Sequence, residues 1–310
     1  MRSARSLYRL NLALAGLGAL VVLAGTAVAL GRVDLAPGPV GRMLSDCSRL
    51  LLPAVKPGGL AVLGLALLGV VAVARGLRSA VCQIGGSRRI LRALEILGER
   101  QMHRSLVVLI AGSRPQAFCA GFARPRVYLS CASLDLLSEA QLAAVVAHEV
   151  QHVRRRDPLR LLLLNTLADA LFFLPALRRL KTRYAALAEL AADEAALAAV
   201  GDPSHLAAAL LQFGERGVPG VVGVDPERVD HLLGSPPRWG MPAAVIVGAL
   251  LTLGALSAFV LAIAASAAGL RTSVGQLAAQ SCTVVMTVGP ILAFLALGVL
   301  GRRTIARSRP

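Results

Sequence analysis

Long apolar runs alternate along this chain with shorter stretches that carry most of the charge. Four of these runs contain no internal charged residue: 10–30, 59–74, 243–270 and 282–300. A helix needs about 20 apolar residues to cross a bilayer, and the four runs are close to that length or above it. The pattern therefore predicts four transmembrane helices, arranged as one hairpin on each side of a polar central block.

The central block mixes the periodicities of helices and strands. Residues 88–101 have helical spacing, and a helix is predicted to start at Ser138, where Gln141 completes a capping box. Short runs separated by turn residues are typical of strands. These runs are 106–112, 116–122 and 125–130. The predicted fold class is a mainly α membrane protein with an α+β domain in its central block.

Two further helices are predicted downstream of Ser138. Asp157 and Pro158 indicate that one helix ends and the next begins, with the aspartate as N-cap and the proline at the first helical position. An alanine-rich helix follows at 183–200 and ends before Gly201.

The predicted elements divide the chain into five segments. They are a transmembrane hairpin at 1–77 with spans at about 10–30 and 59–75, a globular domain at 78–234, a linker at 235–242, a second transmembrane hairpin at 243–300, and a basic tail at 301–310. The first apolar run is longer than the ~7–15 residues of a signal-peptide core, which favours an uncleaved span over a cleaved signal.

Composition supports a membrane protein and predicts its orientation. The 310 residues are 56% hydrophobic, and the mean hydropathy is +0.68. The net charge is +16, and most of the lysines and arginines lie at the termini and in the central block. By the positive-inside rule, these segments are cytoplasmic in a multi-pass cell-membrane protein. No basic stripe with interleaved aromatic residues accompanies the charge, which argues against direct nucleic-acid binding.

A pair of histidines in the predicted helix after Ser138 indicates a metal site. In "AHEVQH", His148 and His152 are one helical turn apart, so both imidazoles project from the same face. Glu149 lies beside the first histidine, where it can act as general base on a zinc-activated water without being a ligand. The alternative is a helix with chance polar residues, but an apolar run precedes the pair, and buried unpaired histidines would be costly.

A third ligand is available on the alanine-rich helix. "ELAAD" places Glu189 and Asp193 one turn apart, facing the same way. Glu189 can complete the protein ligands of one zinc ion, and Asp193 can fix the tautomer of a ligand histidine. Considered alone, this pair would be interpreted as two solvated charges on a helix surface. Because an HExxH motif precedes it, the ligand interpretation is preferred.

The metal hypothesis constrains the apolar segment 159–177. This segment is long enough to resemble a fifth span, yet His152 and Glu189 flank it and must reach one metal ion. A single crossing would separate them by the bilayer. We therefore expect the segment to dip and return, to lie along the interface, or to pack as the core of the domain.

Three stretches together resemble one protein family: "AFCAGFARPRVYLS", "LSEAQLAAVVAHEVQHVRRRDPL" and "ELAADEA". They are similar to the beta-lactam sensor/antirepressor (BlaR/MecR-type) family of bacterial membrane zinc metallopeptidases, over about 104–234. The resemblance implies a gluzincin-like peptidase domain in which His148, His152 and Glu189 bind zinc, Glu149 is catalytic and Asp193 supports a ligand. It also gives Arg228, in "ERVDHLLG", a role near the site. The sensor members also carry an extracellular penicillin-binding domain, which we expect this chain to lack.

The predicted function is membrane-embedded zinc endopeptidase activity at the cytoplasmic face. The expected partners are the lipid bilayer and a protein substrate, which family analogy suggests is a winged-helix repressor or another regulator. His231 and Tyr184 are candidates for contacting the transition state, and their spacing favours neither. An edge strand beside the metal can bind substrate backbone, although a purely structural hairpin is an equal alternative. A quality-control protease and a non-catalytic, zinc-stabilised sensor or scaffold are the rival functions.

The cysteines do not add a second candidate site. Cys47, Cys82, Cys119, Cys131 and Cys282 form no CxxC pair, so a cysteine zinc site is not predicted. Cys119 and Cys131 are interpreted as packed thiols, because no histidine lies near them in the sequence.

Overall fold

The structure is a computed structural model that describes residues 2–34, 57–102, 105–216, 243–266 and 272–273. It is mainly helical with a small mixed sheet. The helices are α1 (Arg2–Gly31), α2 (Pro57–Ala93), α3 (Cys131–Leu136), α4 (Glu139–Arg155), α5 (Asp157–Ala170), α6 (Pro175–Val200), α7 (Pro203–Arg216) and α8 (Ala243–Ala265). The strands are β1 (Val33–Asp34), β2 (Ile96–Met102), β3 (Ser105–Ile110), β4 (Ala117–Ala120), β5 (Arg126–Ser130) and β6 (Thr272–Ser273).

Three of the described helices are long and apolar enough to cross a membrane: Ala4–Gly31, Gly58–Ala93 and Ala243–Ala265. They correspond to the first three predicted spans. The fourth predicted span, 282–300, lies outside the described residues, as do the predicted linker and basic tail. The predicted boundary at 77/78 falls inside α2, which continues without interruption to Ala93.

The chain divides into two compact units, the first of which contains residues 1–19 and 72–252. Its four-stranded sheet has the order β2-β3-β5-β4, with β3 and β5 parallel and the outer pairs antiparallel. One face of α4 packs on this sheet, and their shared core contains Val107, Val127, Leu129, Leu142 and Val146. Burial of these side chains fixes the rotation of α4, so its polar face points away from the sheet.

The second unit contains residues 20–71 and 253–310. Its described core consists of Ala29, Val62, Leu65, Val260 and Ile263. The Arg32 guanidinium donates to the carbonyl oxygens of Ile263, Ala264 and Ser266 at 2.7–3.2 Å. These carbonyls end α8, so a cation there complements the negative end of the helix dipole.

Two local predictions differ from the structure. The predicted helix 88–101 is wrong in its second half, because Ile96–Met102 forms β2 and pairs with β3. The open edge of β3 needs an antiparallel partner, and this pairing overrides the local helical spacing. The predicted N-cap at Asp157 is also wrong. Arg156 takes the left-handed conformation (φ 54°, ψ 42°) between the helices, and Asp157 is the first residue of α5.

The predicted capping box is confirmed. Ser138 Oγ accepts from the Gln141 N–H at 3.3 Å, and the Gln141 side chain accepts from the Ser138 N–H at 2.9 Å. Such a box defines where a helix begins, and it therefore sets the register that places the two histidines of α4 on one face. The end of the alanine-rich helix before Gly201 is likewise confirmed.

The apolar segment 159–177 is divided between two helices. α5 ends at Ala170, a turn follows, and α6 begins at Pro175. The two helices therefore form a hairpin, which brings the end of α4 and the middle of α6 back to the same place. Residues 159–177 therefore do not form a single membrane crossing, and His152 and Glu189 can reach the same metal ion.

Candidate metal centre

Three potential metal donors converge between α4 and α6. His148 Nε2 and His152 Nε2 are 3.3 Å apart; His148 Nε2 lies 3.5 Å from Glu189 Oε2, and His152 Nε2 lies 3.5 Å from Glu189 Oε1. The ligand atoms of this trio all fall within 4.8 Å of one another. The structure thus brings together the three residues that the sequence proposed as ligands.

The separations match those of a tetrahedral zinc site. Zinc binds imidazole nitrogen and carboxylate oxygen at about 2.0–2.2 Å, which places neighbouring ligand atoms of a tetrahedron about 3.3–3.6 Å apart. The 3.3 Å between the two Nε2 atoms, and the 3.5 Å from each of them to its own oxygen of the Glu189 carboxylate, are of this size. Two imidazole nitrogens and a carboxylate thus surround one small space. The donor set therefore fits a divalent metal ion.

A buried carboxylate lies behind each histidine. Asp193 Oδ1 is 3.0 Å from His148 Nδ1, within hydrogen-bonding distance although the angle is not ideal. Asp157 Oδ2 is 2.9 Å from His152 Nδ1. A proton on each Nδ1 would leave Nε2 of both rings as the lone-pair donor, which is the arrangement a metal ligand requires. Asp193 therefore lies where the sequence analysis expected it.

Asp157 is a residue of the site that the sequence analysis missed. It was interpreted only as an N-cap, whereas its carboxylate accepts from His152 and, at 2.6 Å, from the Tyr184 hydroxyl. Arg155 Nε lies 3.5 Å from the same carboxylate. A usable signal was present in the sequence, because an aspartate just past the last turn of a histidine-bearing helix can fold back onto that turn.

The carboxylates dominate the electrostatics of the centre. Burial alone would lower the pKa of His148, but its contacts with Asp193 and Glu189, helped by the charge of Glu149, raise that pKa to about 10. Burial would raise the pKa of Asp157, yet its hydrogen bonds from His152 and Tyr184, with the Arg155 charge, lower it. An excess of negative charge around two imidazoles is the environment that a bound cation neutralises.

Tyr184, a candidate for contacting the transition state, is buried behind Asp157. Its side chain is 0% exposed, and its hydroxyl donates to Asp157 instead of facing the open space beside the histidines. Burial and the Asp157 charge raise the pKa of the phenol to about 12. A contact between Tyr184 and a transition state is therefore not supported, because the Asp157 carboxylate lies between the Tyr184 hydroxyl and His152.

An open cavity of about 640 Å³ adjoins the three donors. Glu149 is half-buried and lines it, together with His148, His152 and Glu189. The remaining walls are largely apolar and come from four elements. Their larger side chains are Phe118 of β4, Leu161 of α5, Leu190 of α6, and Leu206, Leu210 and Phe213 of α7.

Strand β4 forms one wall of this cavity and is an edge of the sheet within the described part of the chain. The Ser130 N–H donates to Gln116 O, and hydrogen bonding alternates along an antiparallel pair. Phe118 therefore pairs with β5, while Ala117 and Cys119 direct their backbone groups to the open edge. Both β2 and β4 are outer strands of the described sheet, and β4 is the one that lines the cavity beside the histidines.

The other candidates fall into two groups. Arg228 and His231 lie outside the described residues, as does His103. His205 lies on α7 and is not among the residues that line the cavity. Cys119 does line it, but burial and the charges of Glu149 and Asp157 raise the pKa of its thiol to about 12, which disfavours a nucleophilic thiolate.

Comparison with known proteins identifies a family. Residues 59–215, about half of the chain, match the family described as BlaR1 peptidase M56. The chain is also similar to the Protease HtpX homolog of Acidiphilium cryptum (strain JF-5), at 31% identity over 35% of this chain and 50% of that protein. It thus spans about half the length of this relative. No solved structure matches the chain. By its family match, the chain belongs to the BlaR1 peptidase M56 family of membrane metallopeptidases.

Proposed function

We propose that this chain is a zinc-dependent endopeptidase that cleaves a protein substrate at the membrane surface. The observation that carries the proposal is that two imidazole nitrogens and one carboxylate, with ligand atoms within 4.8 Å of one another, converge at the edge of an open cavity. A structural zinc site usually has four protein ligands, whereas a catalytic site has three and keeps one position open. Three donors beside an open cavity favour the catalytic type.

Each residue of the site has a proposed role. His148, His152 and Glu189 would hold the ion, and the supporting carboxylates of Asp157 and Asp193 would keep both imidazoles oriented. Zinc, when bound, lowers the pKa of water and polarises a carbonyl group as a Lewis acid. Mixed nitrogen and oxygen donors in a tetrahedral arrangement suit zinc better than magnesium or calcium, which prefer six or more oxygen ligands.

Glu149 is the proposed general acid and base. It follows His148 on α4 and lines the same cavity, so its carboxylate faces the space where a water and a scissile peptide would meet. It would accept a proton from the attacking water and transfer that proton to the departing amine. Neither step requires Glu149 to be a ligand.

Strand β4 is the proposed binding site for the substrate backbone. A peptide added at its open edge would gain hydrogen bonds from Ala117 and Cys119 and would pass the metal ligands. The apolar walls of the cavity would accept side chains of such a peptide. Recognition through the backbone suits a protein substrate, which we propose is a regulator such as a winged-helix repressor.

The proposed topology places the peptidase domain and both termini in the cytoplasm. Four spans are proposed, of which three correspond to described helices. The distribution of lysine and arginine supports this orientation by the positive-inside rule. A cytoplasmic site is also where a repressor would be accessible.

A comparison of two glutamate variants tests the proposal. Glu149→Gln keeps the size of the side chain and should abolish proteolysis while zinc stays bound; Glu139→Gln, on the exposed first turn of the same helix, should leave proteolysis intact. The readout is the set of peptides in cells that express each variant, with zinc content measured on the purified proteins. If Glu149→Gln cells produced the same peptides as wild-type cells, the protein would be a scaffold and the enzyme proposal would fail.

A further inference from the structure

The turn that joins α5 to α6, which we call the hairpin tip (Leu171–Leu174), packs against α1. A Cβ atom built on Gly18 of α1 would lie 2.9 Å from Leu174 Cδ1 and 3.1 Å from Leu171 Cδ1. A side chain at Gly18 would force the ends of both leucine side chains to move, so the glycine favours this close packing. Two further contacts join α1 to α6, and they are Tyr8 with Tyr184 (ring centroids 5.6 Å apart) and the Asn11 Nδ2 donor with Leu177 O (3.2 Å).

These contacts define an antiparallel path. From Tyr8 to Gly18 the chain rises about 15 Å along α1, and from Tyr184 back to Leu174 it descends about 15 Å along α6. The two distances agree, so the first half of α6 follows α1 closely. The hairpin tip is therefore level with Gly18.

The length of α1 determines where Gly18 lies relative to a bilayer. The uncharged stretch after Arg9, Leu10–Gly31, spans about 33 Å, which just covers a hydrocarbon core of about 30 Å. If Gly18 were outside the core, the remaining residues 19–31 would span only about 20 Å, too little to cross. Gly18 must therefore be about 12 Å inside the core on the N-terminal side, and the tip lies beside it.

The composition of the tip suits this depth. Phe172 is 38% exposed, although it is a large aromatic residue, and several backbone groups in and beside the turn are hydrogen-bonded. The N–H groups of Leu171, Leu174 and Leu177 donate to Leu167 O, Leu171 O and Leu174 O at 2.9–3.1 Å. Each backbone group paired in this way costs less to place in hydrocarbon.

Asp169, close to the tip, interacts with three polar side chains. The Ser79 hydroxyl donates to the Asp169 carboxylate at 2.7 Å, and Arg178 lies 3.8 Å from it. The Arg75 guanidinium lies 5.0 Å from the Phe172 ring centroid and donates to Asp169 O. Arginines at this position can extend their charge to the headgroups while their methylenes remain in the apolar layer.

We propose that the hairpin tip is a re-entrant wedge whose partner is the acyl-chain region of the leaflet on the side of the N-terminus. Of the three arrangements open for 159–177, the contacts with α1 favour the one that dips and returns. The proposal requires α1 to cross the bilayer, and it is independent of the peptidase chemistry. Along α6, Glu189 lies about 22 Å from the tip, so the wedge would hold the metal centre close to the membrane surface.

Tryptophan fluorescence in vesicles tests the wedge. The chain has a single tryptophan, Trp239, which is replaced by phenylalanine to give a silent background. Phe172→Trp is then compared with Leu17→Trp, at an exposed position in the uncharged stretch of α1, and with Arg124→Trp, in the turn between β4 and β5. The vesicles contain phosphatidylcholine brominated on its acyl chains, and circular dichroism verifies that each variant is folded.

We expect brominated lipid to quench Phe172→Trp about as strongly as Leu17→Trp, and Arg124→Trp much less. Leu163 lies about 13 Å before Phe172 along α5, and therefore farther from the hairpin tip. Leu163→Trp should be quenched less than Phe172→Trp by lipid that is brominated deep in its acyl chains. If quenching of Phe172→Trp matched that of Arg124→Trp, the tip would be in water or covered by protein, and the wedge would be ruled out.

A measurement on the unaltered chain covers the case in which a variant does not fold. Vesicles that contain a lipid with a diazirine on its acyl chain are irradiated, and adducts are mapped by mass spectrometry. Adducts at residues 171–174, at a yield comparable to those on α1, would support the wedge. Adducts on α1 and α8 without any on the tip would overturn it.

Discussion

The carboxylate of Asp157 offers a sharp test of how the metal ligands are oriented. Asp157 is 2% exposed, its lowered pKa keeps it ionised at neutral pH, and it accepts from His152 and Tyr184. Asp157→Asn keeps the shape of the side chain and can still offer an amide oxygen to His152. The substitution therefore removes the charge and preserves most of the packing.

The expected loss follows from these contacts. A buried hydrogen bond to a charged group contributes about 1.5–3 kcal/mol and a neutral one about 0.5–1.5 kcal/mol, so the His152 contact weakens by about 1–1.5 kcal/mol. That difference corresponds to about a tenfold weaker zinc affinity, at the lower end of the ~10–100-fold range for outer-shell partners of metal ligands. Arg155 also loses its charged neighbour at 3.5 Å, which adds to the destabilisation of the fold.

Competition with a chromophoric zinc chelator measures the affinity directly. Asp135→Asn, on the exposed side of α3, is the matched control and should bind zinc like the wild type. If Asp157→Asn bound zinc within twofold of the control, Asp157 would not support His152, and the reasoning from the 2.9 Å contact would be refuted.

Three further predictions concern the packing of α1, the substrate strand and pH. Gly18→Leu should lower the free energy of unfolding by about 1–3 kcal/mol in thermal denaturation, whereas Gly16→Leu, with open space around it, should change it little. Cys119→Pro should remove one N–H donor from the open edge of β4 and lower kcat/KM about 2–10-fold, with zinc retained. The control Phe118→Pro breaks a hydrogen bond to β5 and should instead destabilise the fold. The pKa of His148 is raised to about 10 in the metal-free protein, so a proton must leave this residue as zinc binds. Zinc affinity measured by calorimetry should therefore rise about tenfold per pH unit between about pH 6 and 8. An affinity that did not change with pH would contradict this prediction.

The local chemistry of the site could be predicted from the sequence, because it depends on helical spacing alone. His148 and His152 are one turn apart, as are Glu189 and Asp193, and the capping box at Ser138 sets the helix register. Each of these relations involves residues within a few positions of one another. The structure adds that the two helices meet, which spacing within either helix cannot show.

The remaining features depend on contacts between distant segments. Residues 96–102 form a strand only because β3 offers an edge to pair with, and β4 is recognised as the open edge only from the order of strands. The role of Asp157 depends on a left-handed Arg156, which turns the chain so that the carboxylate meets His152. The hairpin tip is placed by its contact with Gly18, more than 150 residues earlier in the chain.

X-ray absorption at the zinc edge of the purified protein tests the central claim most directly. The account predicts one zinc ion per chain with only nitrogen and oxygen neighbours at about 2.0–2.2 Å, including the multiple-scattering signature of two imidazoles. Substituting Glu189 by alanine should remove one oxygen neighbour of the protein and lower the zinc content. A protein without stoichiometric zinc, or a zinc shell that contains sulfur at about 2.3 Å, would contradict a centre formed by His148, His152 and Glu189.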